Sequence, residues 1–284
     1  MAPALVSLLT ALSCASASQA QDEVPFITTP DQVTLTMLGM AQVGPQDQLI
    51  DLGSGDGRIV ITAARRFGAS GLGVEIVPEL VQRSLNSATT AGVQDRVQFR
   101  VQDLFATDLS AATVVTLYLL PELNLQLRPR LLALRPGTRI VSHDWDMGDW
   151  QPDRTQQVDV PDKAVGREKF SQVHLWTVPA AVHGWWCSGS ASLHISQRFQ
   201  AFSATLMARP TASAMVDASV SPPLVFDGRL HGANGRALAP AQASLSWRSG
   251  PAGQPASLML GGLTGAAAAL AEQRFSPAAG PDCR

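Results

Sequence analysis

The sequence carries little charge, has no excess of either sign and contains almost no lysine. Its 284 residues include 21 Lys and Arg and 23 Asp and Glu, which gives a net charge of −2 and a charged fraction of 15%. Such a balance provides no basic surface for a polyanion, so we expect no nucleic-acid partner. The hydrophobic fraction of 45% is typical of a chain that buries a core, as one large domain or two smaller ones.

The N-terminal apolar segment is too short to span a bilayer comfortably. Residues Ala4–Ala17 are apolar or small, whereas a transmembrane helix needs about 20 apolar residues. Ser18-Gln19-Ala20 offers small residues at both positions that a signal peptidase reads, which predicts a signal peptide at residues 1–20 and export to the periplasm or the medium. Because the segment has no Lys or Arg, an uncleaved anchor at the cytoplasmic face is the alternative. After cleavage we expect no membrane span.

Cysteine is also scarce. Cys14 leaves with the signal peptide, and Cys187 and Cys283 remain at the beginning and the end of the C-terminal segment. An even pair in an exported protein is a disulfide candidate, and two unrelated thiols are the alternative.

Glycine, by contrast, is concentrated between two apolar runs. The stretch Asp51-Leu52-Gly53-Ser54-Gly55-Asp56-Gly57-Arg58 follows an apolar strand and precedes the helical run Ile59–Ala64. Glycines in a strand-to-helix turn let a ligand lie against the backbone and the helix N-terminus. A dinucleotide site needs G-x-G-x-x-G, which requires glycine where Arg58 stands. The turn therefore indicates an adenosyl ligand.

Five short apolar strands alternate with helical patterns, which predicts a parallel sheet with right-handed crossovers. Pro129 is expected to split the helical region after the fourth strand into two short helices. Gln156–Val160 and Val173–Val178 have no strong helix between them, so we expect a terminal hairpin with one strand inserted antiparallel. We assign this unit to residues 25–180.

The composition changes after Pro179. The remaining segment is rich in Ala, Ser and Gly, and apolar and polar residues alternate in Arg198–Leu206. Asn234-Gly235 is a turn signal of the kind that joins two antiparallel strands. Residues 185–284 are therefore predicted to form a small antiparallel β-rich domain, as a sandwich or an open barrel. The pattern of Ala266–Ala271 fits a strand or a helix.

An acid lies at the end of each of the first three predicted strands, namely Asp51, Glu75 and Asp103. In an open parallel sheet, ligands bind at the carboxyl ends of the strands. Glu75, about 20 residues past the turn, is placed to bind ribose hydroxyls. Asp103 with Leu104-Phe105 is placed to meet an adenine. Each acid alone is also explained as a helix cap or a solvated loop residue, but three acids in register with a glycine turn favour a ligand site.

These motifs resemble those of class I, seven-strand S-adenosylmethionine-dependent methyltransferases over residues 25–178. Within that superfamily the chain is similar to the ATP synthase c-subunit lysine methyltransferase family and its bacterial relatives. The similarity is carried by Pro25-Phe26-Ile27-Thr28-Thr29-Pro30, by Gly53–Ile61, and by Asp144 with Met147-Gly148-Asp149-Trp150. It implies a Rossmann-like seven-strand sheet, S-adenosyl-L-methionine as cofactor, and transfer of a methyl group to a lysine of a protein, for example a membrane protein.

The resemblance also assigns roles within the cofactor site. It implies that the turn lines the methionine part of the cofactor, that Glu75 binds the ribose and Asp103 the adenine, and that two threonines close over the site. Carboxylates near the turn favour a sulfonium cation. The cofactor-binding residues expected on this basis are Thr28, Thr29, Asp51, Gly53, Ser54, Gly55, Asp56, Gly57, Glu75, Asp103 and Leu104.

The acceptor side departs from the pattern of many amine methyltransferases. They carry an Asn/Asp-Pro-Pro-Tyr-like loop after the fourth strand, whereas this chain has Tyr118-Leu119-Leu120-Pro121-Glu122. Methyl transfer needs alignment for an in-line displacement and, for an amine, a group that takes up a proton. The candidate catalytic residues are Tyr118, His143 and Asp144. His143 and the acids after it alternate across an extended segment, so we expect no metal there.

The sequence thus predicts an exported methyltransferase with a β-rich C-terminal extension. The location is in tension with the activity, because S-adenosylmethionine is made in the cytoplasm. The alternative is an exported binding protein in which the methyltransferase fold is a relic and the β unit binds a lipid, a glycan or a protein partner.

Overall fold

The structure is a computed structural model that describes residues 27–164, 166–208, 223–239, 243–250, 256–263, 268, 270, 272–281 and 283. The predicted signal peptide (residues 1–20) lies outside the described residues. So do the first two residues of the 25–30 motif and most of the segment 266–271, for which the sequence left strand and helix open.

The first unit contains a seven-strand sheet. Its strands are β1 (Gln48–Leu52), β2 (Ser70–Glu75), β3 (Val97–Val101), β4 (Val114–Leu117), β5 (Arg139–His143), β6 (Arg154–Asp159) and β7 (Phe170–Thr177). They follow the order β3-β2-β1-β4-β5-β7-β6, and β7 runs antiparallel to both of its neighbours while the other pairs are parallel. The predicted Rossmann-like sheet with its terminal hairpin is confirmed.

Four α-helices and one short 3-10 helix connect the strands in the described part of this unit. They are α1 (Asp31–Met40), α2 (Arg58–Phe67), α3 (Pro78–Ala91), α4 (Pro121–Leu132) and the 3-10 helix Leu104–Ala106. Gly68 and Gly92 end α2 and α3 with φ of 73° and 68°, a left-handed conformation that glycine adopts without strain. None of the helices described is long and apolar enough to cross a membrane.

The expected break of the helical region at Pro129 is wrong. α4 is one helix with Pro129 inside it. Leu127 and Leu131 are fully buried and hold the helix against the sheet on both sides of the proline. Leu125, whose carbonyl loses its helical partner, is 43% exposed, so water can bond that carbonyl.

Two apolar layers cover the two faces of the sheet. Successive strand residues point to opposite faces, so Leu49 packs in the layer under α1, α2 and α3, and Ile50 packs in the layer under α4. Trp150 and Trp176 complete the second layer, where the indole nitrogen of Trp176 donates to the Trp150 carbonyl at 2.7 Å. The carboxyl ends of the parallel strands meet at one edge, which carries the glycine turn.

The second unit is an antiparallel barrel. Its strands are β8 (Gly184–Cys187), β9 (Ala191–Arg198), β10 (Ala201–Ala208), β11 (Leu224–His231), β12 (Asn234–Ala239), β13 (Ser244–Arg248), β14 (Ser257–Gly261) and β15 (Arg274–Ala278). The β-rich C-terminal unit is confirmed, but the barrel is closed, because β15 pairs with β8 and places Ser276 opposite Cys187. Closure removes exposed strand edges. Phe202, Phe226 and Phe275 fill the interior.

Cys187 and Cys283 form a disulfide across a sequence separation of 96 residues. It joins the end of β8 to the chain just beyond β15, the two strands that close the barrel. The disulfide therefore fastens the seam of the barrel.

Replacing both cysteines, as Cys187→Ser with Cys283→Ser, is expected to destabilise the barrel because the unfolded chain regains the entropy of a long open loop. The chain-entropy model gives about 4–5 kcal/mol as an upper value. Urea unfolding, followed by barrel tryptophan fluorescence, measures the loss, and treatment of the wild-type protein with a reductant serves as the matched control. Free thiols at both positions in non-reducing peptide maps would contradict the pairing.

Candidate active site

The backbone of the glycine turn adopts a conformation, and passes so close to its neighbours, that side chains at the three glycines would not fit. Gly53, Gly55 and Gly57 have φ of 75°, 54° and 78°. A Cβ on Gly53 would lie 2.9 Å from Leu119 Cδ2, and one on Gly57 would lie 2.7 Å from the Phe99 ring. The turn is therefore glycine-rich for conformational and packing reasons.

Glu75 connects the turn to the end of β2. Its Oε2 accepts a hydrogen bond from Gly55 N at 3.0 Å, and its Oε1 accepts from Ile76 N at 2.8 Å and Val77 N at 3.1 Å. A carboxylate has about four acceptor positions, so a position remains for a ribose hydroxyl. This geometry fits the ribose role that the sequence predicts for Glu75.

The end of β3 offers the surroundings of a planar base. Asp103 is exposed, its Oδ1 accepts from Phe105 N at 2.8 Å, and its Oδ2 makes no hydrogen bond to a described residue. Leu104 is half-buried beside it. Ile76 and Val77, 65% and 40% exposed, provide apolar surface at the neighbouring strand end. Sequence reasoning missed these two residues, although they directly follow Glu75, the acid predicted to bind the ribose.

Asp51 is a buried carboxyl next to the turn. It is 2% exposed, and Thr116 Oγ1 donates to its Oδ1 at 2.7 Å. Burial, and to a lesser degree the negative charges of Glu75 and Asp56, raises the pKa of Asp51 to about 7, against the hydrogen bond from Thr116. A cation bound beside the turn would favour the ionised form, as a sulfonium does.

Asp56 and the threonines are linked through Arg58. Arg58 forms a two-point ion pair with Asp56, at 2.9 Å from Nε and 2.6 Å from the guanidinium NH2, which lowers the pKa of Asp56 despite its burial. Arg58 also donates to the Thr29 carbonyl at 3.0 Å. Thr29 is buried, whereas Thr28 is exposed at the surface of the same segment. The N-terminal segment is thus fixed beside the turn.

Ser54 has a different environment from its neighbours in the turn. Its hydroxyl is buried without a hydrogen-bond partner among the described residues. A Cβ on Gly73 would lie 2.7 Å from that oxygen, so Ser54 packs against the backbone of β2. Its side chain faces the sheet, and its backbone N–H donates to the Val74 carbonyl at 2.9 Å.

The three candidate catalytic side chains lie together at the ends of β4 and β5. The rings of Tyr118 and His143 stack with centroids 3.9 Å apart. His143 Nε2 lies 2.9 Å from Ser171 Oγ and 3.4 Å from Asp144 Oδ2. Asp144 Oδ2 also lies 2.8 Å from Lys163 Nζ. Sequence reasoning missed Ser171 and Lys163, because both come from the distant β6–β7 hairpin.

The protonation of this cluster is set by burial. Burial lowers the pKa of His143 to about 4, outweighing the attraction of Asp144, so the imidazole is neutral at pH 7. Burial, followed by the negative charge of Asp144, raises the pKa of Tyr118 and keeps its phenol protonated. His143 is fully buried and also lies 3.2 Å from Thr29 Oγ1. Tyr118 is half-buried, and the Asp144 side chain is 16% exposed and accepts a hydrogen bond from Gln172 N at 2.9 Å through Oδ1.

The strand order, the glycine turn, and the acids at the ends of three strands define a class I S-adenosylmethionine-dependent methyltransferase. The residues present fit this ligand: the turn has glycine at 53, 55 and 57, Glu75 and Asp103 keep acceptor positions, and Ile76 and Val77 offer apolar surface.

Comparison with known proteins identifies the family. The ANTKMT methyltransferase domain matches residues 51–154. A protein-lysine N-methyltransferase of Saccharolobus islandicus is 41% identical over 138 residues, which are 48% of this chain and 86% of that protein. An RNA methyltransferase of Salinibacter ruber, crystallised with S-adenosyl-L-homocysteine, is 52% identical with a TM-score of 0.50, over 55% of this chain and 96% of its own. The chain belongs to the ANTKMT methyltransferase family.

A eukaryotic relative is matched over a smaller part. The ATP synthase c-subunit lysine N-methyltransferase of Mus musculus is 37% identical over 108 residues, which are 38% of this chain and 43% of that protein. The chain therefore spans less than half of the mouse enzyme.

Glu75→Gln is expected to weaken S-adenosylmethionine binding by about tenfold or more, because a neutral amide is a weaker acceptor for ribose hydroxyls and backbone amides than a carboxylate. Calorimetric titration measures the dissociation constant. Glu79→Gln, an exposed change in the first turn of α3, is the control and should bind like the wild-type protein. Equal affinities of the two variants would remove Glu75 from the ribose site.

Asp51→Asn is expected to stabilise the ligand-free protein above pH 7. The native carboxyl keeps its proton up to about pH 7, whereas the unfolded carboxyl ionises near 3.8. The free energy of unfolding of the wild-type protein therefore falls as the pH rises from about 4 to 7, by up to about 4 kcal/mol at about 1.4 kcal/mol per pH unit.

The asparagine variant lacks this dependence, and urea unfolding across that pH range measures the difference. Asp95→Asn, at an exposed loop position, is the control that should leave the pH profile unchanged. The same Asp51→Asn variant should bind S-adenosylmethionine more weakly. Superimposable profiles for the wild-type protein and Asp51→Asn would show that Asp51 is ionised in the free protein.

Proposed function

We propose that the protein transfers the methyl group of S-adenosylmethionine to a lysine amine of a protein acceptor. The observation that carries this proposal is that the carboxylate at the end of β5 already accommodates an ammonium group. Lys163 Nζ lies 2.8 Å from Asp144 Oδ2 and donates to the Phe170 carbonyl at 2.7 Å. A lysine from another protein replaces Lys163 at this carboxylate, beside the stacked Tyr118 ring.

The chemistry requires a neutral amine. Bound S-adenosylmethionine supplies an electrophilic methyl group, and the amine nitrogen bonds to that carbon as the carbon–sulfur bond breaks. A lysine ammonium must first lose a proton, which the Asp144 carboxylate is placed to accept. Tyr118 aligns the amine, and neutral His143 supports the Tyr118 ring by stacking.

The surface around this edge supports a protein acceptor. Leu120, Leu125 and Trp145 are each 43% exposed and lie on the β4–α4 connection, on α4 and on the loop after β5. Glu122 and Asp146, both exposed, add negative charge to the same edge. Apolar side chains with carboxylates suit an apolar protein segment that carries a lysine, and they repel a phosphate backbone.

The names of the relatives offer two acceptor classes. The names of the curated relatives give a protein lysine as the acceptor, including a lysine of the ATP synthase c-subunit. The Salinibacter protein is named an RNA methyltransferase. The acidic and apolar edge and the net charge of −2 favour a protein over RNA. A lysine of a membrane protein is the acceptor that we propose.

We also propose that the protein works outside the cytoplasm. The signal-like residues 1–20 and the Cys187–Cys283 disulfide support an oxidising compartment. An uncleaved anchor at the cytoplasmic face is the competing location. No observation favours a relic fold with binding by the barrel alone, since the candidate ligand residues are intact.

Asp144→Asn is expected to lower methyl transfer about 100-fold, because the acceptor amine loses its proton acceptor. The purified full-length protein is incubated with methyl-labelled S-adenosylmethionine and cell-envelope extract, and labelled amino acids are identified after acid hydrolysis. Asp95→Asn, an exposed change far from the site, serves as the control.

Label in methyl-lysine that survives ribonuclease treatment would support the proposal. Label lost with ribonuclease would identify RNA as the acceptor and would overturn the protein assignment. A wild-type rate for Asp144→Asn would remove the proposed role of that carboxylate.

A further inference from the structure

The loop after β5 determines what an acceptor meets beside Asp144. It carries Trp145, whose carbonyl accepts a hydrogen bond from Asn124 Nδ2 at 3.2 Å. Two residues on, the Met147 carbonyl accepts from the Arg128 guanidinium at 2.8 Å. α4 thus supports the loop from one side.

The barrel contacts the same loop from the other side. The ring of Phe199 stacks on Trp150 with centroids 6.1 Å apart and an interplanar angle of 21°. Gln200, 4% exposed, donates from Nε2 to the Gln151 carbonyl at 2.7 Å. Arg198 pairs with Asp149 at 2.8 Å. Arg198 ends β9, and Phe199 and Gln200 form the turn between β9 and β10.

Phe199 occupies an unfavourable backbone conformation for its side chain. Its φ is 54°, in the left-handed region that bulky residues rarely adopt and that glycine or asparagine enters more easily. The ring packs in the apolar layer of the methyltransferase sheet, and the Arg128 guanidinium lies 5.5 Å from its centre. A phenylalanine at this position destabilises the turn conformation, but its ring gains a contact with Trp150 of the methyltransferase unit.

We propose that the β9–β10 turn of the barrel is a positioning element of the acceptor site. Phe199 and Gln200 fix the loop at Trp150 and Gln151, and the loop in turn fixes Trp145 and the backbone that follows Asp144. This inference rests on the proposed function, in which the acceptor binds at that edge. The barrel is then a component of the methyltransferase's acceptor side.

Phe199→Asn tests this assignment, because asparagine removes the ring but suits a left-handed backbone. The melting temperature should fall only slightly, because the better turn geometry offsets part of the lost packing of the ring. Amide exchange in residues 144–151 should become about tenfold faster. Methyl transfer to envelope extract should fall about tenfold at limiting extract. The dissociation constant of S-adenosylmethionine and amide exchange in residues 51–57 should not change.

Two further variants separate positioning from general stability. Glu272→Asn changes another barrel residue with positive φ, 61°, and should leave both the exchange and the transfer rate at wild-type values. Phe199→Tyr keeps the aromatic ring and should show the wild-type amide exchange in residues 144–151 and the wild-type transfer rate.

Unchanged exchange in residues 144–151 of Phe199→Asn would overturn the inference, and so would faster exchange with an unchanged transfer rate. Exchange and S-adenosylmethionine binding need no acceptor. A wild-type protein that labels no acceptor therefore contradicts the proposed function, while the exchange measurement still decides whether the turn holds the loop.

Discussion

The contact between the glycine turn and the end of β2 is the interaction on which the rest of the site depends. The Val74 carbonyl accepts hydrogen bonds from both Gly53 N and Ser54 N at 2.9 Å, and the next residue, Glu75, accepts from Gly55 N. These bonds need glycine at position 53, since a Cβ there would collide with Leu119. They fix the sharp turn from β1 into α2 and place a carboxylate beside it.

Charge is distributed around this contact in a way that suits a cationic ligand and an amine acceptor. A positive charge beside the turn stabilises the ionised form of the buried Asp51 carboxyl. Asp56 is already neutralised by Arg58. On the acceptor side, His143 is kept neutral by burial, and the Asp144 carboxylate is paired with the Lys163 ammonium. The cofactor side is built within the sheet, whereas the acceptor side also uses the β6–β7 hairpin and the barrel.

Local pattern was sufficient to predict that the glycine turn, Glu75 and Asp103 lie at strand ends, because each lies at or just after the end of a short apolar run. Their roles toward the cofactor stay predictions. Features that depend on distant partners could not be predicted. Lys163 reaches Asp144 only through the hairpin between β6 and β7. Pro129 stays inside α4 because buried leucines hold the helix, and the barrel closes through a pairing between its first and last strands. The contact of Phe199 with Trp150 joins two units, and no local pattern in either unit predicts which residues of the other it will touch.

A crystal structure of the full-length protein with S-adenosyl-L-homocysteine would show whether the glycine turn and Glu75 hold the nucleoside. We expect a ribose hydroxyl within about 3 Å of a Glu75 carboxylate oxygen, the adenine between Asp103 and Ile76, and the sulfur directed towards Tyr118 and Asp144. A nucleoside bound away from Glu75, or a sulfur directed away from the ends of β4 and β5, would contradict it.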